Sequence, residues 1–143
     1  MDQKILWAVN HMPKTEDKNL PIMSVVEVKK ARAFHESIPQ YQVTPLADLK
    51  NMAEYLGLAK ACVKDESYRF GLNAFKVLGG SYAIARYIAK ETKRDISQMP
   101  YSVLTSKELR DEFGQATFFS ATDGNHGRGV AWAANRLGQK CVI

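Results

Sequence analysis

Two short stretches of this sequence hold residues whose types and spacing could do chemistry. The first is Lys64-Asp65-Glu66-Ser67-Tyr68-Arg69-Phe70-Gly71-Leu72-Asn73-Ala74-Phe75-Lys76-Val77-Leu78-Gly79-Gly80. Asn73 has the side chain of an N-cap, which puts Lys76 in the first turn of the helix that follows. The positive pole of a helix start disfavours an ammonium there, by about 0.3–1 kcal/mol. A neutral amine is the nucleophile that Schiff-base chemistry with an aldehyde needs. Ala74, Val77, Leu78, Ser81, Ile84, Ala85 and Ile88 share an apolar helix face that supports a buried setting, and Gly79-Gly80 allow close backbone approach. On spacing alone, a lysine reaching into solvent from an ordinary helix is the plainer reading.

The second stretch is Ser120-Ala121-Thr122-Asp123-Gly124-Asn125-His126-Gly127-Arg128-Gly129. It follows an apolar strand and opens a helix, so its backbone N–H groups and the helix pole favour an anion such as a carboxylate or phosphate. An acid at Asp123, beside a bound anion, would be favoured in its protonated form and suited to proton transfer. The alternative is an Asx turn capped by Asp123 or Asn125, with His126 a passive surface residue. The glycines run G-x-x-G-x-G, the reverse of the dinucleotide fingerprint, and there is no Walker lysine. His126 with Asp123, His11, His35 and the cysteines shows no metal-ligand spacing, so no metal is expected.

Positioning these residues falls to alternating elements. A helix is expected from Val25 to about Ser37 with Val26, Val28, Ala31 and Phe34 on its inner side, then an extended Tyr41–Leu46 and a helix from Leu46 to Tyr55 closed by Gly57. Further on we expect a strand at Ala61–Asp65, a long helix Ala74–Lys90, a short helix Lys107–Glu112, a strand Thr117–Ser120, a helix His126–Leu137 and a strand Lys140–Ile143. The last three form a β-α-β unit whose length suits a right-handed crossover between parallel strands. The expected class is therefore α/β, with parallel strands joined by crossover helices. The chain stops at Ile143 inside this apolar strand, from which we expect the N-terminal part of a longer polypeptide.

With 143 residues, 45% hydrophobic and 24% charged, the composition is that of a globular chain able to bury a core, which excludes disorder or a collagen-like repeat as a description of the whole. The net charge of +5 comes from basic residues scattered among acids, a solvated surface rather than a nucleic-acid footprint. No apolar run approaches the length of a membrane span or signal peptide. Cys62 and Cys141 sit in apolar runs, where cysteine behaves as a small buried hydrophobe, and reduced thiols in the cytoplasm are expected.

Together and in this order, the two stretches resemble the fold-type II enzymes that use pyridoxal 5′-phosphate, among them the serine and threonine dehydratases. Phe75-Lys76 with Gly79-Gly80 resembles that family's Schiff-base lysine, and Ala121–Gly127 its asparagine loop. Within the family the chain is most similar to the diaminopropionate ammonia-lyases, through Lys-Asp-Glu-Ser, Arg-Phe-Gly-Leu-Asn-Ala-Phe-Lys and Thr-Asp-Gly-Asn-His-Gly-Arg-Gly-Val-Ala-Trp-Ala. Ordinary dehydratases carry a small neutral residue where this chain has Asp123.

The resemblance implies that Phe75 and Lys76 meet the cofactor, with Lys76 its covalent anchor, and that Asn125 bonds the ring hydroxyl. It implies that Thr122, Gly124, Asn125, His126 and Gly127 hold the substrate carboxylate, and that Asp123 is the base for one enantiomer. The implied reaction is elimination from D- or L-2,3-diaminopropionate to pyruvate and two ammonia. The second carboxylate, the glycine-rich phosphate cup and the partner of the pyridine nitrogen lie downstream in family members, so this chain alone is expected to bind the cofactor weakly or not at all. The implied layout is an arm at 1–22, part of the large cofactor domain at 23–95 and the start of a truncated small α/β domain at 96–143. A full-length parent would be a homodimer, and this chain could pair with a separate C-terminal half. A dehydratase specificity and a non-catalytic assembly module are the competing expectations.

Overall fold

The computed structural model describes Val9, His11, residues 20–122 and residues 124–143; Asp123 and most of the expected 1–22 arm lie outside these. A 3₁₀ turn at Pro21–Met23 leads into α1 (Val25–Glu36), where the Ser24 hydroxyl accepts the Glu27 N–H as a helix cap. There follow β1 (Leu46–Asp48), α2 (Lys50–Tyr55), β2 (Cys62–Lys64), α3 (Lys76–Glu91), α4 (Tyr101–Leu104), α5 (Lys107–Phe113), β3 (Thr117–Phe119), α6 (Asn125–Arg136) and β4 (Lys140–Val142). β3 and β4 pair in parallel, Phe118 opposite Cys141, with α6 as their crossover, which is the expected β-α-β unit. α2 ends as expected at Gly57, whose φ of 65° is left-handed.

Three expectations are corrected. Leu46–Asp48 is a strand and not the start of a helix: it pairs antiparallel with β2, Leu46 opposite Lys64, and that distant partner overrides the local helical pattern. Val26 and Val28 are 63% and 60% exposed, because α1 faces inward through the i, i+3, i+4 row that includes Glu27, Lys30, Ala31 and Phe34. Cys62 is exposed, since β1 and β2 cover only each other's edges, and both cysteines are free.

The core centres on α3. Its Val77, Ser81, Ile84, Ala85 and Ile88 are buried, and the last three join Val130, Ala133, Ala134 and Leu137 of α6 in one cluster. Phe34 and Ile38 enter that cluster from the α1 side, and Ile96, Met99, Leu104 and Leu109 from the segment between α3 and β3, so it draws on both sides of residue 95. α1 is fixed by three long-range contacts. The His35 Nε2–H donates to the Leu78 carbonyl at 2.8 Å, Lys30 pairs with Asp95 at 3.0 Å, and the Ser37 hydroxyl accepts the Tyr101 N–H at 2.8 Å. Among the described residues no helix is long and apolar enough to cross a membrane.

Candidate active site

α3 starts at Lys76, flanked by Phe75, and no side chain caps it. Asn73 is therefore not the cap: it lies in a left-handed run, Phe70 at φ 49°, Gly71 at 71° and Asn73 at 54°, that delays the helix until the chain has turned. Lys76 still occupies the first turn. It is exposed rather than buried, because the inward face of α3 begins at Val77, and its Nζ stands 5.9 Å from the centroid of the exposed Phe75 ring. Of the two glycines after it, Gly80 makes the close approach: a Cβ there would meet Val130 Cγ2 at 3.3 Å, whereas one on Gly79 would meet nothing within 4 Å.

α6 starts in the same uncapped way. Gly124, at φ 85°, precedes Asn125, and among the described residues no side chain accepts from the N–H groups of the first turn. Serines cap α1 and α5, whereas α2, α3, α4 and α6 show no side-chain cap among the described residues. Gly124, Asn125 and His126 are exposed, Thr122 is half-buried and Gly127 is buried. A Cβ on Gly127 would stand 2.9 Å from Thr122 Cγ2, so its absence lets Thr122 fold over the helix start.

The two starts are joined at Gly129. A Cβ there would lie 2.8 Å from both N and Cα of Val77 and 3.2 Å from the carbonyl carbon of Lys76. Only a residue with no side chain lets the second turn of α6 rest on the backbone that carries the lysine. Lys76 and the Thr122–Gly127 loop are thus held by one helix contact. An amine and the N–H groups of a helix start fit a cofactor with an aldehyde and anionic groups, and fit an amino-acid carboxylate. A cleft of about 650 Å³ opens beside this contact, between α3 and β3, and reaches Gly79, Gly80, Ser120 and His126; Lys76, Thr122 and Asn125 lie outside its walls.

Sequence reasoning missed the residues behind Lys76. Arg69 is 4% exposed, and its Nε and Nη2 donate to the two oxygens of Glu66 at 2.8 and 3.0 Å. The guanidinium beside Glu66 holds that carboxyl below the usual range, and Glu66 in turn raises Arg69. The signal available was the i, i+3 spacing of Glu66 and Arg69, which also fits an unremarkable surface pair.

Residues 38–143 match the family model for pyridoxal-phosphate dependent enzymes. The chain is similar to the diaminopropionate ammonia-lyase of Salmonella typhimurium strain LT2, 50% identical over 111 residues that cover 78% of this chain and 28% of that protein. It is also similar to the crystal structure of Escherichia coli diaminopropionate ammonia-lyase in complex with D-serine, with a TM-score of 0.77 and 48% identity over 87% of this chain and 31% of that one. The Escherichia coli enzyme in complex with an aminoacrylate-PLP azomethine reaction intermediate gives a TM-score of 0.71 and 46% identity over 87% of this chain and 30% of that one. The chain therefore spans under a third of the length of these relatives, and its mixed α/β architecture is part of their fold-type II arrangement. With three quarters of its length inside the family model, the chain belongs to the pyridoxal-phosphate dependent enzymes.

Proposed function

We propose that this chain supplies the cofactor lysine and the substrate-carboxylate loop of an ammonia-lyase acting on 2,3-diaminopropionate. The observation that carries this reading is the seating of Gly129 on Val77, which sets the lysine start of α3 beside the Thr122–Gly127 loop in a chain about half identical to such lyases. Pyridoxal phosphate, when bound, supplies an aldehyde for covalent capture and an electron sink that stabilises negative charge at the substrate Cα.

In this reading Lys76 would hold the cofactor through its amine, with the Phe75 ring beside it. Asn125 donates to the ring hydroxyl, and Thr122 with the amides of Gly124, Asn125, His126 and Gly127 binds the substrate carboxylate. Asp123 takes the Cα proton of one enantiomer. The overall reaction converts diaminopropionate and one water to pyruvate and two ammonia. We further propose that the isolated chain holds the cofactor weakly and does not turn over, because it spans under a third of the relatives' length. A homodimer is proposed for a full-length parent from its resemblance to the family, and the free cysteines fit the cytoplasm.

The test is to incubate a full-length parent with pyridoxal phosphate, reduce with borohydride and map the adduct by mass. A phosphopyridoxyl group concentrated on Lys76 and absent from Lys76→Ala is expected; label spread evenly over the surface lysines would sink the assignment. A second specificity, for serine, is favoured by the relative solved with D-serine. In a full-length parent, Asp123→Ala should abolish diaminopropionate turnover for one enantiomer, and retained serine turnover would favour the dehydratase reading.

A further inference from the structure

Upstream of Lys76 the chain runs through a strained turn that needs an external frame. Phe70 and Asn73 both take left-handed φ, a region that disfavours side chains and phenylalanine in particular. Such a turn persists only where its surroundings fix it, and the surroundings here are specific. The Arg69 fork on Glu66 is completed by Nη1 donating to the Gln42 carbonyl at 2.9 Å and Nη2 to Thr44 Oγ1 at 3.3 Å. Thr44, itself buried, donates its hydroxyl to Glu66 Oε1 at 2.5 Å, and Lys64 Nζ donates to the Thr44 carbonyl. The segment after α1 and the turn before Phe70 are thereby tied together through one guanidinium, and Lys64 at the end of β2 joins them through Thr44.

The other side of the frame is aromatic. The Arg69 guanidinium lies 5.2 Å from the Tyr41 ring centroid and 5.9 Å from that of Phe70. Phe70 stacks on Trp132 of α6, centroids 4.8 Å apart and planes at 29°. A fixed path therefore runs from Glu66 through Arg69 and Phe70 to the helix that carries the Thr122–Gly127 loop. Nothing in this path touches Lys76 itself. Its effect on Lys76 is to fix where the chain enters α3.

We infer that Arg69 and Glu66 are positioning residues for Lys76: their two-point ion pair, anchored on Gln42 and Thr44, holds the Phe70–Asn73 turn that presents the lysine beside α6. This rests on Lys76 being the cofactor lysine. A lysine at position 69 keeps the charge but cannot reproduce a planar fork, and a glutamine at position 66 keeps the size but loses the charge-assisted pair.

The experiment compares Arg69→Lys and Glu66→Gln, in a full-length parent, with Leu109→Ala, a core truncation in α5 chosen as a control for lost stability alone. Two quantities are read in each. The first is the share of borohydride-trapped phosphopyridoxyl on Lys76 relative to the other lysines. The second, which needs no cofactor, is amide exchange across residues 70–78, with melting followed by circular dichroism. We expect the two frame variants to stay folded, to lose about tenfold or more of the Lys76 preference, and to exchange faster at 70–78. The control should keep both properties at an equal or lower Tm. Frame variants with the native exchange pattern and native preference would overturn the inference. So would a control that loses the preference as they do, since stability alone would then be the cause. If the unsubstituted parent shows no Lys76 preference, the cofactor reading fails by itself, and unchanged exchange at 70–78 in the variants still decides against the frame.

Discussion

At Gly129 a single hydrogen atom separates a working contact from a clash. Gly129→Ala would drive a methyl into the backbone of Val77, which cannot swing aside as a side chain can. Overpacking of this kind costs about 1–3 kcal/mol, more than the roughly 0.5–1 kcal/mol that alanine gains over glycine in a helix. We expect a lower urea midpoint together with loss of the Lys76 adduct. Gly79→Ala is the opposite case. It is exposed, inside α3 and free of neighbours, so the same exchange should raise stability by about 0.5–1 kcal/mol. Denaturation of the two variants side by side checks both signs. The sequence displayed Lys76 and the Thr122–Gly127 loop because their residue types are unusual at helix starts. It did not display which glycine bears the contact, since all helical glycines look alike until the partner helix is placed.

Among the elements, α1 depends on α3 through a titratable group. Burial lowers the His35 pKa below its ordinary 6.5, with a smaller contribution from the nearby Arg69 charge, while the bond to Leu78 works the other way. The unfolded chain therefore binds more protons than the folded one as pH falls through 6.5 toward the folded value. Stability should be full above that window and decline through it, and His35→Gln should flatten the decline; urea titrations from pH 7.5 to about 5 would show this. A decline unchanged by His35→Gln would place its source elsewhere. Elements with a strong 3.6-residue repeat, α3 and α6, could be read directly from the sequence. The inward side of α1 could not, because its three exposed valines are more apolar than the Glu27 and Lys30 that actually lie along the buried edge. Nor could β1, whose strand state is set by a partner across the loop.

For the molecule as a whole, stability rests on the α3 and α6 cluster more than on either small sheet. Ile88, 1% exposed at its centre, should cost about 2–5 kcal/mol on truncation to alanine, read as a shift of one cooperative unfolding transition. The α/β class and the crossover of β3, α6 and β4 were legible as a pattern of alternating periods, whereas the antiparallel β1 and β2 pair was not.

The bonds that hold α1 also fix an order in time. Ser37 meets Tyr101 across 64 residues and Lys30 meets Asp95 across 65. On a ribosome adding about 5–20 residues per second, roughly 3–13 s pass between the emergence of these partners. The side of Phe34 that will later be covered is presented to the cell throughout that interval. Among the described helices the first to be made waits longest for its anchors, and the interval before they arrive is when a chaperone has most to bind.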